Sequence, residues 1–162
     1  MTTTITNILP EDMHRLCASS LFNRTWEALD RDDRTPEEDA AMLDMAHASL
    51  WHWRVVGAPI NLSRGEWLVS RVSAVLGYPE SALRHAQATL ALCDQYQLSE
   101  FDRAFAHEAM ARAYAVASDP KGITTHVQYG LAAAEHVKSA SEQEWVRRSL
   151  GSVTTAPAQR DA

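Results

Sequence analysis

The chain has 162 residues, of which 46% are hydrophobic and 22% charged, and its 15 basic and 21 acidic side chains give a net charge of −6. This length and composition fit one globular domain with its own core and exclude wholesale disorder. The acidic balance argues against binding to a nucleic-acid backbone, and the lack of an apolar stretch of ~18 residues argues against a membrane-spanning segment.

Helix-capping motifs divide the chain into predicted helices. A Ser, Thr or Asp side chain before a helix accepts a hydrogen bond from an otherwise unpaired backbone N–H, and Pro fits the first helical position. In chain order, such starts occur at Leu9-Pro10-Glu11, Thr35-Pro36, Ser63-Arg64-Gly65-Glu66, Tyr78-Pro79, Ser99-Glu100, Asp119-Pro120 and Ser141-Glu142. Gly57, Gly77 and Gly151 are predicted to end helices in the left-handed conformation. The predicted helices therefore cover residues 11–31, 36–56, 63–77, 79–96, 100–117, 120–138 and 142–150.

The apolar residues inside these segments recur at helical spacing. In the fifth segment Phe101, Phe105, Ala109 and Ala113 follow one another at steps of four, and no useful run alternates with period two. Short connections make neighbouring helices antiparallel. We therefore expect an all-α fold in which three antiparallel hairpins and a short C-terminal capping helix form one domain over residues 1–150, followed by a flexible tail at 151–162.

Two of the hairpins contain a related turn. Gly77 ends one helix and Ala82 follows five residues later, while Tyr114 and Asp119 flank the second turn. Over roughly residues 63–138 this pattern resembles the tetratricopeptide repeat (TPR). The resemblance implies a right-handed TPR-like array, and a compact bundle of the same helices is the alternative. It further implies a concave surface, formed by the first helix of each hairpin, that takes a peptide, a partner protein or a small ligand, in a class that is rarely catalytic.

Arginine and aromatic residues form stripes along the predicted helices. Arg64, Trp67 and Arg71 align on the third helix, and similar stripes lie on the second and the fifth. Guanidinium groups suit carboxylates, and indole rings offer flat apolar area. We expect the third and fifth helices to share one groove that binds a protein or peptide partner, or a small acidic or aromatic ligand, without a cofactor. The candidate binding residues are Asp44, His47, Trp51, Arg64, Trp67, Arg71, Phe105, Glu108 and Arg112.

Two of these stripes have a simpler interpretation. The stripe on the second helix is also typical of a solvated helix face whose Trp51 covers a neighbour. Glu108 and Arg112 also suit an ordinary ion pair four residues apart, which stabilises a helix by a few tenths of a kcal/mol.

A small helical enzyme is the alternative function. It would be metal-dependent or use acid–base chemistry, centred on Asp44 and His47 with Glu108 nearby. Asp44 and His47 have the three-residue spacing of acid and imidazole found in di-iron bundles, as do Glu11 and His14. Glu11, however, lies in the first turn of its helix, where an acidic residue is expected for capping and helix-dipole reasons. We therefore predict no metal site.

A homodimer is a third interpretation of the tryptophans. Trp51 and Trp67, if both exposed, would bury each other across two copies of the chain, because large exposed aromatic patches commonly mark interfaces.

The two cysteines predict the redox environment. Cys17 and Cys93 lie inside apolar helical patterns and form neither a disulfide framework nor a zinc motif. We interpret them as buried free thiols of a cytoplasmic protein.

Overall fold

The computed structural model describes residues 9–154, and this part of the chain consists of helices joined by short loops. No strand occurs within it, so the predicted all-α fold is confirmed. The elements are α1 (Glu11–Leu29), α2 (Pro36–Val56), α3 (Pro59–Val75), α4 (Pro79–Tyr96), α5 (Glu100–Val116), α6 (Pro120–Ala134), α7 (Ala140–Gly151) and a 3-10 turn at Ser152–Thr154.

The predicted capping chemistry begins several of these helices. At α2 the Thr35 hydroxyl accepts a hydrogen bond from the Glu38 backbone N–H, and the Glu38 carboxylate accepts one from the Thr35 N–H at 2.9 Å. Ser99 accepts from a backbone N–H at the start of α5, and Asp119 accepts from two at the start of α6. Each cap satisfies donors that have no partner within the helix, so these starts are determined locally.

The start of α3 differs from the prediction. The helix begins at Pro59 rather than at residue 63, and Gly57 has an extended backbone (φ −82°, ψ 151°) instead of a left-handed one. Asn61 supplies the cap, because its side-chain oxygen accepts a hydrogen bond from the Ala58 N–H at 3.0 Å. Ser63 is instead buried inside the helix, where its hydroxyl lies 3.6 Å from the Cys93 sulfur. The Asn two residues before Ser63 thus competes successfully with it as a start signal.

The boundaries of the last two helices, α6 and α7, also differ from the predicted ones. Helix α6 ends at Ala134 rather than at 138, and α7 is capped by Ser139 rather than by Ser141. Gly77 has the predicted left-handed conformation (φ 78°), whereas Gly151 lies inside α7. Helical structure therefore continues through residues 151–154 of the predicted tail. Residues 155–162 lie outside the described part of the chain.

Consecutive helices pack as three antiparallel hairpins, α1/α2, α3/α4 and α5/α6. Contacts across each pair run in antiparallel order: in α3/α4, for example, the Ser70 hydroxyl donates to the Ala82 carbonyl at 2.9 Å and the Thr89 hydroxyl to the Ser63 carbonyl at 3.5 Å. Helix α5 lies at the centre, in contact with α3, α4, α6 and α7. The alanines of α5 leave room for this close packing, and the main core contains Met42, Leu50, Leu68, Val69, Val72, Phe105, Met110, Val146 and Leu150.

The cysteines fit their predicted role only in part. Cys93 is fully buried, and burial raises the pKa of its thiol. Cys17 is partly exposed, and both thiols are free. None of the helices in residues 9–154 combines the length and the apolar composition needed to cross a membrane.

Paired histidines lie at two of the hairpin interfaces. The Nδ1 atoms of His14 and His52 are 2.8 Å apart between α1 and α2, and those of His107 and His126 are 3.0 Å apart between α5 and α6. Burial, followed by the charge of His126, lowers the pKa of His107 from 6.5 to about 4. Burial also lowers the pKa of His126. The α5/α6 interface therefore favours neutral imidazoles.

Acidification is expected to destabilise the protein through this pair. Between pH 6.5 and about 4 the unfolded chain binds a proton that folded His107 does not, so the free energy of unfolding falls as the pH decreases across this window. The pKa difference corresponds to roughly 3 kcal/mol at most. Urea unfolding followed by circular dichroism at pH 7 and pH 4.5 measures the effect. His107→Gln should reduce the difference between the two pH values; an unchanged difference contradicts the assignment, and His136→Gln, at an exposed position, is the matched control.

Candidate functional site

A large cavity lies between the first helices of the three hairpins and α7. Its volume is about 510 Å³. We call it the aromatic cavity, because six of the eleven residues around it carry aromatic rings. It is lined by Phe22 and Trp26 of α1, Asp30 directly after α1, Ser63, Arg64 and Trp67 of α3, Thr89 of α4, Phe101, Asp102 and Phe105 of α5, and Trp145 of α7.

The aromatic rings contact one another and form continuous walls. Trp26 and Trp67 lie with ring centres 5.3 Å apart and planes inclined by 33°. The Phe105 ring meets Trp67 edge-on at 5.7 Å, and on its other side it contacts Phe101 at 5.0 Å and Trp145 at 5.1 Å. Tilted and edge-to-face contacts of this kind are favourable for aromatic rings. The walls therefore hold a fixed shape that is predominantly apolar.

Three charged side chains line the aromatic cavity, and two of them form an ion pair with each other. Arg64 donates to the Asp102 carboxylate at 2.8 Å, and the Ser99 hydroxyl donates to the same carboxylate at 2.5 Å. Asp102 is buried, so this ion pair neutralises Arg64 at the wall of the cavity. Asp30, at the C-terminal end of α1, is exposed and adds a negative charge. The three charged side chains together carry one net negative charge.

A buried carboxylate lies behind the wall of the aromatic cavity. Glu108 of α5 is only 1% exposed. Its Oε2 accepts a hydrogen bond from the Trp67 indole at 3.0 Å, while its Oε1 accepts from the Ser149 hydroxyl at 3.0 Å and from Arg112. Arg112 in turn donates to the Ser149 carbonyl at 3.1 Å. Glu108 thereby holds Trp67 in place and joins α3, α5 and α7.

A second, smaller cavity lies on the other side of this network. Its volume is about 190 Å³. We call it the arginine cavity, because two guanidinium groups are the only charged groups that line it in the described structure. It is lined by Arg71, Ala74, Val75, Arg112, Ala115, Val116 and Val153.

The structure divides the predicted site residues among three places. Arg64, Trp67 and Phe105 line the aromatic cavity, whereas Arg71 and Arg112 line the arginine cavity. Glu108 lies between the two cavities. The remaining three are exposed side chains of α2, away from both cavities: Asp44, His47 and Trp51.

The exposed stripe on α2 does not assemble with Glu108. The His47 ring contacts the ring of His85, with centres 5.5 Å apart, and burial lowers the pKa of His47. His85 is bonded at 2.6 Å to Glu66, which also binds Arg54. The hydrogen bonds of Glu108 all go to residues of α3, α5 and α7. The three residues of the alternative enzyme therefore do not form one catalytic group.

The exposure of the two tryptophans does not match what the dimer hypothesis requires. Trp51 is 51% exposed, whereas Trp67 is 9% exposed and packs against Trp26. The expectation that Trp67 is exposed is wrong, because its indole is held between the aromatic wall and Glu108. Trp67 is therefore unable to pair with Trp51 of a second copy in the way proposed.

Four of the six aromatic residues that line the cavity were not among the predicted site residues: Phe22, Trp26, Phe101 and Trp145. Phe22 and Trp26 of α1 and Asp30, which directly follows the helix, recur at steps of four, which places them on one face. That spacing was a usable signal. Trp145, in contrast, sits on a short polar helix, and its nearness to Phe101 and Phe105 depends on how α7 folds back onto α5.

No protein-family model matches the chain, and comparison with curated proteins and with solved structures found no similar protein. Within residues 9–154, His, Cys, Asp and Glu side chains form no group of three or more that is suited to a metal ion. The function proposed below therefore rests on the geometry of the two cavities.

Replacing Glu108 by Ala is expected to destabilise the protein strongly. The substitution leaves the buried donors of Trp67 and Arg112 without their acceptor, and removing one partner of a buried ion pair costs about 3–5 kcal/mol. Urea unfolding followed by circular dichroism measures the loss. Glu144→Ala, at an exposed position of α7, is the control and should change the free energy of unfolding by less than about 0.5 kcal/mol. Equal small effects for both variants contradict the role assigned to Glu108.

Proposed function

We propose that this protein is a non-enzymatic binding module whose aromatic cavity takes a flat apolar group. The ligand is a small aromatic molecule, or a peptide or protein partner that inserts an aromatic side chain. The observation that carries the proposal is the cavity of about 510 Å³ between α1, α3, α5 and α7, lined by six aromatic residues.

The size and position of the cavity support this function. Small-molecule sites typically measure about 300–1,000 Å³ and are mostly apolar with a few polar groups. The aromatic cavity lies among the first helices of the three hairpins. This is the side on which the TPR resemblance leads us to expect a binding surface. The proposal therefore includes a TPR-like arrangement, in which α7 closes the end of the concave side.

The charges favour a neutral or cationic ligand in this cavity. Arg64 is neutralised by Asp102, and Asp30 leaves a net negative charge nearby. Asp102 already offsets the charge of Arg64, so an acidic group would gain little net attraction here, whereas a cation would gain from the aromatic faces and from Asp30. The acidic ligand expected from Arg64 is accordingly not proposed for this cavity.

The polar groups of the lining support binding rather than chemistry. The Thr89 hydroxyl donates to the His85 carbonyl at 2.9 Å, and the Ser63 hydroxyl contacts Cys93. Asp102 accepts hydrogen bonds from Arg64 and Ser99. These contacts serve the fold, so the lining supports ligand recognition through shape and apolar area.

A matched pair of fluorescent probes tests the proposed function. N-phenyl-1-naphthylamine is a neutral aromatic probe that emits strongly in apolar sites, and 8-anilino-1-naphthalenesulfonate is the same skeleton with a sulfonate. The neutral probe is expected to bind more tightly, because the cavity offers apolar walls and a net negative charge. Trp145→Ala should weaken its binding about tenfold, through loss of an aromatic wall.

Trp51→Ala is the matched control for this experiment. Trp51 and Trp145 are similarly exposed, at 51% and 48%, but only Trp145 lines the aromatic cavity. Trp51→Ala should therefore bind the neutral probe as the unmodified protein does. Equal losses for the two variants, or no saturable binding of the neutral probe, would overturn the proposal.

A further inference from the structure

Arg71 is the least well satisfied cation of the described structure that lines a cavity. It is a partly buried residue in the middle of α3. Within residues 9–154, its guanidinium donates no hydrogen bond and has no carboxylate at ion-pair distance. A guanidinium has five N–H donors, and those of the partly buried Arg71 remain available to an acceptor that enters the cavity. Residues 9–154 supply no such acceptor.

A second guanidinium lines the same small cavity. Burial, followed by the positive charge of Arg112, lowers the pKa of Arg71, and Glu108 acts in the opposite direction. The oxygens of Glu108 accept from Trp67, Ser149 and Arg112, and no hydrogen bond joins Glu108 to Arg71. Arg112 also donates to the Ser149 carbonyl and to the Ser152 hydroxyl. The two arginines and Glu108 together leave one net positive charge beside the arginine cavity.

The other walls of the arginine cavity are apolar. Ala74, Ala115 and Val153 are buried, and Val75 and Val116 complete the lining. A volume of about 190 Å³ accommodates a molecule of a few heavy atoms. One uncompensated positive charge matches a monoanion, and alkyl walls match a short hydrocarbon chain. A fully hydrated dianion such as phosphate would lose its water against these walls without gaining further hydrogen-bond donors.

We propose that the arginine cavity is a binding site for a short-chain carboxylate, whose carboxylate group accepts hydrogen bonds from Arg71 and Arg112 while its alkyl chain contacts the alanine and valine walls. Arginine forks suit carboxylates, because two parallel N–H donors match the two oxygens. This site is separate from the aromatic cavity and does not depend on the function proposed there.

The hydrogen bonds of Glu108 give the site a built-in spectroscopic signal. Arg112 lines the arginine cavity, and Glu108 joins Arg112 to the Trp67 indole. A ligand carboxylate that accepts a hydrogen bond from Arg112 is expected to alter the hydrogen bonds of Glu108 and therefore the environment of the Trp67 indole. Binding in the small cavity is therefore expected to change the tryptophan fluorescence.

Titration of the full chain with sodium butyrate, at an ionic strength held constant with sodium chloride, tests the proposal. We expect a saturable change in tryptophan fluorescence and an increase in melting temperature. Butyramide, which has the same chain without the charge, should give neither, and acetate and inorganic phosphate should bind at least several-fold more weakly. Phosphate binding as tight as that of butyrate, or equal effects of butyramide, would overturn the proposal.

A pair of arginine variants tests the position of the site. Arg71→Gln should weaken butyrate binding at least tenfold, and it should fold normally because Arg71 makes no hydrogen bond within residues 9–154. Arg84→Gln makes the same change of charge at an exposed position of α4 that lines neither cavity, and it should bind butyrate like the unmodified protein. If the folded Arg71→Gln variant binds butyrate as tightly as the unmodified protein does, the binding site is not the arginine cavity. The neutral fluorescent probe, measured on the same variant, reports the aromatic cavity independently.

Discussion

The arrangement of both cavities depends on the buried carboxylate of Glu108. It accepts hydrogen bonds from Trp67 on α3, from Ser149 on α7 and from Arg112 one turn further along α5. In a low-dielectric interior, a fully satisfied carboxylate fixes the orientation of every donor around it, whereas a partly satisfied one is costly. One residue thereby determines the position of an aromatic wall on one side and of a guanidinium on the other.

The chemical difference between the cavities arises from two arginines on the same helix. Arg64 and Arg71 are separated by two turns of α3, but only Arg64 meets a carboxylate, that of Asp102 on α5. This pairing offsets the charge of Arg64, and the proposed recognition in the aromatic cavity therefore depends mainly on shape and apolar area. Arg71 faces alanine and valine side chains and a second arginine, so its charge remains available. The same residue type thus lines an apolar site and an anion site, depending on the neighbouring helix.

The central position of α5 follows from its small side chains. Ala104, Ala106, Ala109 and Ala113 are buried along it, and they leave space for α3, α4, α6 and α7 to approach closely. Phe105 is a larger side chain among them, and it reaches across to Trp67 and Trp145. The close packing of the alanines therefore brings the aromatic side chains of α3, α5 and α7 to one cavity, and α1 adds Trp26 through its contact with Trp67 of α3.

By itself, the sequence determined the helices of this protein and most of their starts. The caps at Thr35, Ser99 and Asp119 and the left-handed Gly77 depend on a few neighbouring residues, so they can be recognised without any knowledge of the fold. Where two local signals competed, as before α3, the boundary was predicted wrongly. Only the tertiary structure decided which stripes face each other. The contact between Trp67 and Glu108 joins residues 41 positions apart, and whether Arg71 meets an acceptor within residues 9–154 depends on what the neighbouring helices present to it. Long-range packing, rather than local chemistry, therefore divided one predicted groove into two cavities of different character.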